Sequence, residues 1–161
     1  MSRTTLVLAD DHAVVRQGLR AMLEATSEFA VIGEEAAGLK VVDLVERLRP
    51  DVVMLDVQMP GLNGLEVARQ LSQRGLKTRV IILSMHADES YVLEALRNGA
   101  AGYVLKDAAP AEMIQAVREV TAGRRHLSPP LSDRALAAYA EKAQAAPVDP
   151  YETLTTRERE V

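Results

Sequence analysis

At 161 residues, 48% hydrophobic and 26% charged, the chain has the composition of an ordinary globular protein, with enough length for one full core and an extension. A formal charge of −4, from 19 basic and 23 acidic residues, excludes the basic footprint of a free-standing nucleic-acid binder. There is no cysteine, no apolar run of about 18 residues and no basic-then-apolar leader at Met1-Ser2-Arg3, so disulfides, membrane spans and a signal peptide are not expected, and the expected location is the cytoplasm.

The first strand reads Thr5-Leu6-Val7-Leu8-Ala9 and ends in Asp10-Asp11. Val15, Leu19, Met22 and Leu23 then recur at helical spacing, with Arg16, Gln17, Arg20 and Glu24 on the other face, which predicts a surface helix. Phe29 to Glu35 reads as a second strand, and Val41, Leu44, Val45 and Leu48 as a second helix stopped by Pro50. Asp51-Val52-Val53-Met54-Leu55 is a third strand, ending in Asp56. Pro60-Gly61 and Asn63-Gly64 shape the loop before a third helix bearing Leu65, Ala68 and Leu71. A fourth strand, Val80-Ile81-Ile82-Leu83, closes at Ser84. Asp88 is placed to cap a helix carrying Tyr91, Val92, Ala95 and Leu96, which Asn98-Gly99 stops. Gly102-Tyr103-Val104-Leu105 leads to Lys106, and Met113, Ile114, Val117 and Val120 mark a fifth helix.

Five strand–helix repeats with continuously apolar strands predict an α/β fold: a doubly wound, five-stranded parallel sheet covered by helices on both faces. In such a sheet ligands bind beyond the carboxyl ends of the strands, so Asp10, Asp11, Asp56, Ser84 and Lys106 should converge. Clustered acids at strand ends point to a divalent metal. Without one, two carboxylates about 4 Å apart repel by roughly 4 kcal/mol at an effective dielectric of about 20, which should raise at least one carboxyl pKa. His12, which begins the first helix, reads as a cap or surface residue rather than a metal ligand, and Met54, Met59 and Met85 read as packing residues.

Past Gly123 the alternation stops, and Arg124-Arg125-His126-Leu127-Ser128-Pro129-Pro130 reads as a connector. The folded domain is expected over 1–122 and a linker over 123–152, with an alanine-rich helix at 131–145 capped by Ser132 or Asp133. In residues 153–161, Thr155 and Glu158 have capping-box spacing, so a further helix begins there.

With Asp10-Asp11-His12 near the start, Asp56-Val57-Gln58-Met59-Pro60-Gly61-Leu62-Asn63-Gly64 in the middle, and Leu83-Ser84-Met85-His86 and Gly102-Tyr103-Val104-Leu105-Lys106-Asp107 later, the chain resembles the receiver domain of bacterial response regulators over about residues 4–122. Leu154-Thr155-Thr156-Arg157-Glu158-Arg159-Glu160-Val161 resembles the opening of the LuxR-type helix-turn-helix domain of the NarL/FixJ subfamily, which would make the chain a receiver and linker truncated as its DNA-binding domain begins. The resemblance implies a flavodoxin-like strand order of 2-1-3-4-5. It implies Asp56 as phosphoacceptor from a sensor histidine kinase, and Mg²⁺ (or Mn²⁺) held by Asp11, Asp56 and the Gln58 carbonyl, with Asp10 acting through water. Ser84 and Lys106 would contact the phosphoryl group, Tyr103 would be the aromatic switch, and Gln58 and His86 would tune dephosphorylation. It also implies a homodimer, whose formation can depend on phosphorylation, through the fourth-helix, fifth-strand and fifth-helix face or through the first and fifth helices, with DNA contacted only through the missing C-terminal domain. One departure is Asp107, where other receivers carry proline after the lysine.

Three rivals have sequence discriminants. A Mg²⁺-dependent phosphatase of the haloacid dehalogenase type expects Asp-x-Asp, whereas this chain has Asp56-Val57-Gln58. A flavin-binding protein of similar topology should not place three acids at its phosphate loop. A receiver that works without phosphorylation need not keep the full acid, hydroxyl and lysine set.

Overall fold

A computed structural model describes residues 3–85 and 89–128. Six strands, β1 (Thr4–Ala9), β2 (Phe29–Glu35), β3 (Val52–Asp56), β4 (Arg79–Ser84), β5 (Gly102–Leu105) and β6 (His126–Leu127), form one parallel sheet in the order β2-β1-β3-β4-β5-β6. The helices are α1 (Ala13–Glu24), α2 (Gly38–Leu48), α3 (Gly64–Gln73), α4 (Glu89–Arg97) and α5 (Pro110–Thr121).

Strand alternation assigns the two faces. Val7, Val53, Leu55, Ile82 and Tyr103 pack toward α2, α3 and α4, while Leu6, Leu8, Met54, Leu83 and Val104 pack toward α1 and α5. All five residues of β3 are buried because helices cover both of its faces, which is why that strand reads as an unbroken apolar run ending in one acid.

The expected order 2-1-3-4-5 is present but incomplete as a description of the sheet. His126 and Leu127, read from sequence as connector, pair with Gly102 and Tyr103 as a sixth strand. Two residues are too short to carry a periodic signal, and Arg124-Arg125 just before them looks like solvent-facing loop. The strand is fixed by side chains. Ser128 is buried; its amide donates to the Tyr103 carbonyl (3.0 Å), its Oγ accepts from the Leu105 amide (3.0 Å) and donates to Glu112 Oε2 (2.5 Å), and His126 Nε2 lies 3.0 Å from that same oxygen. The sheet therefore extends past the expected boundary at residue 122.

Helix ends differ from expectation in two places. α2 stops at Leu48 because Arg49 adopts a left-handed conformation (φ 51°), one residue before the proline. Asn63 caps α3, its side chain accepting from the Glu66 amide (2.9 Å). Asp88, the expected cap of α4, the linker helix 131–145 and the segment 153–161 lie outside the described residues, as does His86.

Candidate functional site

Asp10, Asp56 and Lys106 lie just beyond or at the ends of β1, β3 and β5, and each continues the strand alternation of Leu8, Met54 and Val104 on the α1/α5 face. Shared phase on neighbouring strands is what makes them meet. Lys106 Nζ lies 2.9 Å from Asp10 Oδ2 and 2.9 Å from Asp56 Oδ2. The Asp10 and Asp56 side chains are only 1% and 4% exposed, so one ammonium is shared by two desolvated carboxylates. Asp10 Oδ2 accepts no hydrogen bond of proper geometry despite that short approach.

The loops hold the acids in place. Asp10 Oδ1 accepts from the His12 amide (2.9 Å), and Asp56 Oδ1 accepts from the Gln58 amide (3.1 Å). Arg16, one turn into α1, donates to the Asp10 carbonyl and to Glu34 Oε1, tying the end of β1 to β2. Gly64 permits the close return of the chain under Asp56: its amide donates to the Val57 carbonyl (2.9 Å), and a Cβ there would sit 2.2 Å from the Asp56 carbonyl oxygen. Close approach, rather than an unusual backbone angle, is what requires this glycine. Gly61 is the position in this loop with positive φ, at 86°.

Electrostatics follow from two buried acids sharing one lysine. Burial pushes Asp56 above the ordinary carboxyl value, and the neighbouring Asp10 charge adds to it; Lys106 and the Gln58 amide oppose the shift without cancelling it. Burial also pushes Asp10 up, but the His12 amide and Lys106 outweigh it and leave Asp10 below its ordinary value. For Lys106 burial favours the neutral amine, yet Asp56 and Asp10 overcome this and hold the ammonium more firmly than usual. The expectation that one metal-free carboxyl is raised is met at Asp56.

Asp11 is exposed and turns toward the same point: ligand atoms from Asp10, Asp11, His12 and Asp56 all lie within 4.8 Å of one another. His12 occupies the N-cap of α1 but makes no side-chain capping bond; its side chain is exposed, as the surface role expected from sequence has it, and its ring lies against Asp10 and Asp11. A cavity of about 640 Å³ lined by Asp11, Gln58, Met59, Tyr91 and Glu94 opens beside this cluster.

Residues 6–118 match the response regulator receiver domain model. The chain belongs to that family. It is 37% identical over 138 residues to the transcriptional regulatory protein DegU of Brevibacillus brevis, covering 86% of this chain and 58% of that protein. To the nitrate/nitrite response regulator protein NarL of Escherichia coli K12 it is 36% identical over 157 residues, covering 98% of this chain and 72% of that protein. Among solved structures, the signal receiver domain of the putative response regulator NarL from Mycobacterium tuberculosis superposes with a TM-score of 0.75 at 35% identity, covering 77% of this chain and 100% of that one. The chain is thus a receiver domain of a two-component system, of the NarL/LuxR type.

Within the receiver, Ser84 is buried at the end of β4, and by strand alternation it shares the α4 face with Tyr103, two residues on from Ile82. Tyr103 is fully buried. Met85 departs from its expected packing role, standing 71% exposed next to the site. Sequence reading missed Arg16 and the Glu112–His126–Ser128 group. A basic residue one turn after the paired acids is a usable signal for the first. The second has none, since Glu112 lies 14–16 residues from the other two and each member is individually ordinary.

Proposed function

We propose that Asp56 is the phosphoacceptor of this receiver, taking a phosphoryl group from a phosphohistidine of a sensor kinase and thereby regulating a transcriptional output. The single observation that carries the assignment is the buried Asp56 carboxylate held 2.9 Å from the ammonium of Lys106 at the carboxyl edge of the sheet. A carboxylate forms an acyl phosphate only if it is ionised and if the phosphoryl oxygens are neutralised as they approach. Lys106 supplies one positive charge and can follow the phosphoryl oxygens, leaving Asp10 paired through its other contacts. In the transfer, an Asp56 oxygen bonds to phosphorus as the phosphorus–nitrogen bond breaks, and the histidine nitrogen keeps the electron pair.

The donor set fits a hard divalent cation: three carboxylates with one unsatisfied buried oxygen on Asp10, balanced by one lysine. Asp11, Asp56 and the Gln58 carbonyl would hold Mg²⁺ or Mn²⁺, with Asp10 acting through water. Bound there, the ion supplies the charge neutralisation that a dianionic phosphoryl group needs beside two acids.

Ser84 donates to a phosphoryl oxygen in the phosphorylated state, and its move opens space on the α4 face that Tyr103 can enter. A group carrying about −1.5 to −2 charge gives Ser84 a partner present in only one of the two states, and a shift from 1:99 to 99:1 needs about 5.5 kcal/mol of differential contact. Gln58 and His86 set how fast water removes the group, so turnover is limited to self-phosphorylation and slow autodephosphorylation. The switched α4–β5–α5 face forms a homodimer on phosphorylation. DNA contact belongs to the LuxR-type domain that begins near residue 153, beyond the linker, and the protein works in the cytoplasm. Among the described residues no helix is long and apolar enough to cross a membrane.

The test is beryllofluoride binding followed by ¹⁹F NMR. Bound-fluoride resonances should appear with Mg²⁺ and vanish in Asp56→Asn protein. Equal signals in the variant would remove Asp56 from the role.

A further inference from the structure

The feature of the acid cluster that the receiver reading leaves unused is its nitrogen. His12 stands where a helix cap is expected, yet its ring makes no capping bond and is instead directed at the carboxylates: Nδ1 lies 3.0 Å from Asp11 Oδ1 and 3.1 Å from Asp10 Oδ1. Ligands at neighbouring vertices of an octahedron with metal–ligand bonds of about 2.1 Å are separated by about 3.0 Å. The imidazole nitrogen therefore stands one octahedral edge from the Asp11 oxygen, a direct ligand in the reading above, and it belongs to the four-residue set whose ligand atoms lie within 4.8 Å of one another. With its side chain 63% exposed, the ring leaves the solvent side open for the waters a divalent ion retains. The buried Asp10 Oδ2 lies 2.9 Å from Lys106 Nζ but accepts no hydrogen bond of proper geometry among the described residues.

We propose that His12 is a direct ligand of the divalent ion bound at this site, and that its nitrogen biases the receiver away from Mg²⁺ toward transition ions of the Mn²⁺-to-Zn²⁺ series. The inference rests on the metal-site reading above. Mg²⁺ takes oxygen ligands and surrenders its waters reluctantly, so an imidazole adds little to its binding. First-row transition ions accept imidazole readily, and for them His12 replaces a water with a stronger donor. Because the chain has no cysteine and only three histidines, no thiol competes for such an ion, and the nitrogen can be traced to one of His12, His86 and His126.

The experiment measures Mn²⁺ binding from the free-ion EPR signal, Mg²⁺ binding by competition against it, and nitrogen coordination by pulsed EPR of the bound Mn²⁺, in the wild-type chain and in His12→Ala, His86→Ala and Asp56→Asn. The expected result is a ¹⁴N modulation in wild type and His86→Ala that is absent in His12→Ala, with Mn²⁺ affinity falling on the order of tenfold in His12→Ala while Mg²⁺ affinity changes little. Mn²⁺ that binds in an Asp56-dependent manner without ¹⁴N modulation, or affinities for both ions that move by the same factor in His12→Ala, would overturn the role of His12 while leaving the metal site intact. No Asp56-dependent Mn²⁺ binding would overturn both.

Discussion

Replacing Lys106 by methionine keeps the length and apolar stem of the side chain and removes the one ammonium that the two buried carboxylates share. Asp10 Oδ2 and Asp56 Oδ2 each lie 2.9 Å from Nζ, so they are no more than twice that distance, 5.8 Å, from each other. At an effective dielectric of about 20, two unit charges at that separation repel by at least about 3 kcal/mol, and breaking a buried pair from one side costs about 3–5 kcal/mol in general. Lys106→Met is therefore expected to lose about 3 kcal/mol of stability at pH 7 without metal. The sign with pH follows from Asp56. Its folded pKa is raised, so its protonated form favours the folded state; that contribution is complete below the ordinary carboxyl value and is lost as pH rises through the folded value. Without Lys106 the folded value rises further, so the deficit of the variant should shrink as pH falls from 7 toward the ordinary carboxyl value and Asp56 takes up its proton. Asp10, whose folded pKa is lowered, contributes in the opposite sense, its stabilisation lost only as pH falls below the ordinary carboxyl value toward its folded one. Urea unfolding followed by circular dichroism across that pH range, with and without Mg²⁺, measures all of this, and Mg²⁺ should stabilise the variant more than the wild type because it takes over the task of neutralising the acids. A variant within about 0.5 kcal/mol of wild type at pH 7 without metal, the range of ordinary surface substitutions, would refute the reasoning.

Asp56→Asn removes a carboxyl whose ionised form is disfavoured by folding, so the metal-free variant should melt at a higher temperature than wild type at pH 7, and the gain from added Mg²⁺ should fall; differential scanning calorimetry decides, and a lower melting temperature would contradict the raised Asp56 pKa. Gly64→Ala places a Cβ 2.2 Å from the Asp56 carbonyl oxygen, which is backbone and cannot yield cheaply; a loss of about 1–3 kcal/mol in chemical unfolding is expected, and a neutral result would mean the loop is looser than the geometry implies. Glu112→Ala takes the acceptor from buried Ser128 Oγ and from His126, at a cost of about 1–3 kcal/mol, and should speed hydrogen exchange at the Leu105 and Ser128 amides; unchanged exchange there would show that β6 is held by its backbone pairing alone.

Most of the architecture was legible because burial on both faces writes the strands as continuous apolar runs, and the acids that end β1 and β3 announce the carboxyl edge of the sheet. Strand phase also carries the convergence of Asp10, Asp56 and Lys106, since each continues a run of residues facing α1 and α5. What escaped is local. β6 is two residues long and is held by a serine, a glutamate and a histidine whose meeting depends on the path of α5. The ring of His12 lies against Asp10 and Asp11 instead of capping α1, a balance between two carboxylates and an amide that spacing along the chain does not express. Gly64 was rightly singled out but for backbone freedom, when its task is to let Asp56 and α3 pass within contact.

The central claim is that Asp56 accepts a phosphoryl group, and intact mass after incubation with acetyl phosphate and Mg²⁺ tests it most directly. One added phosphoryl group that requires the divalent ion and disappears in Asp56→Asn is the predicted result. An adduct that persists in the variant, or none under conditions that preserve an acyl phosphate, would contradict the account.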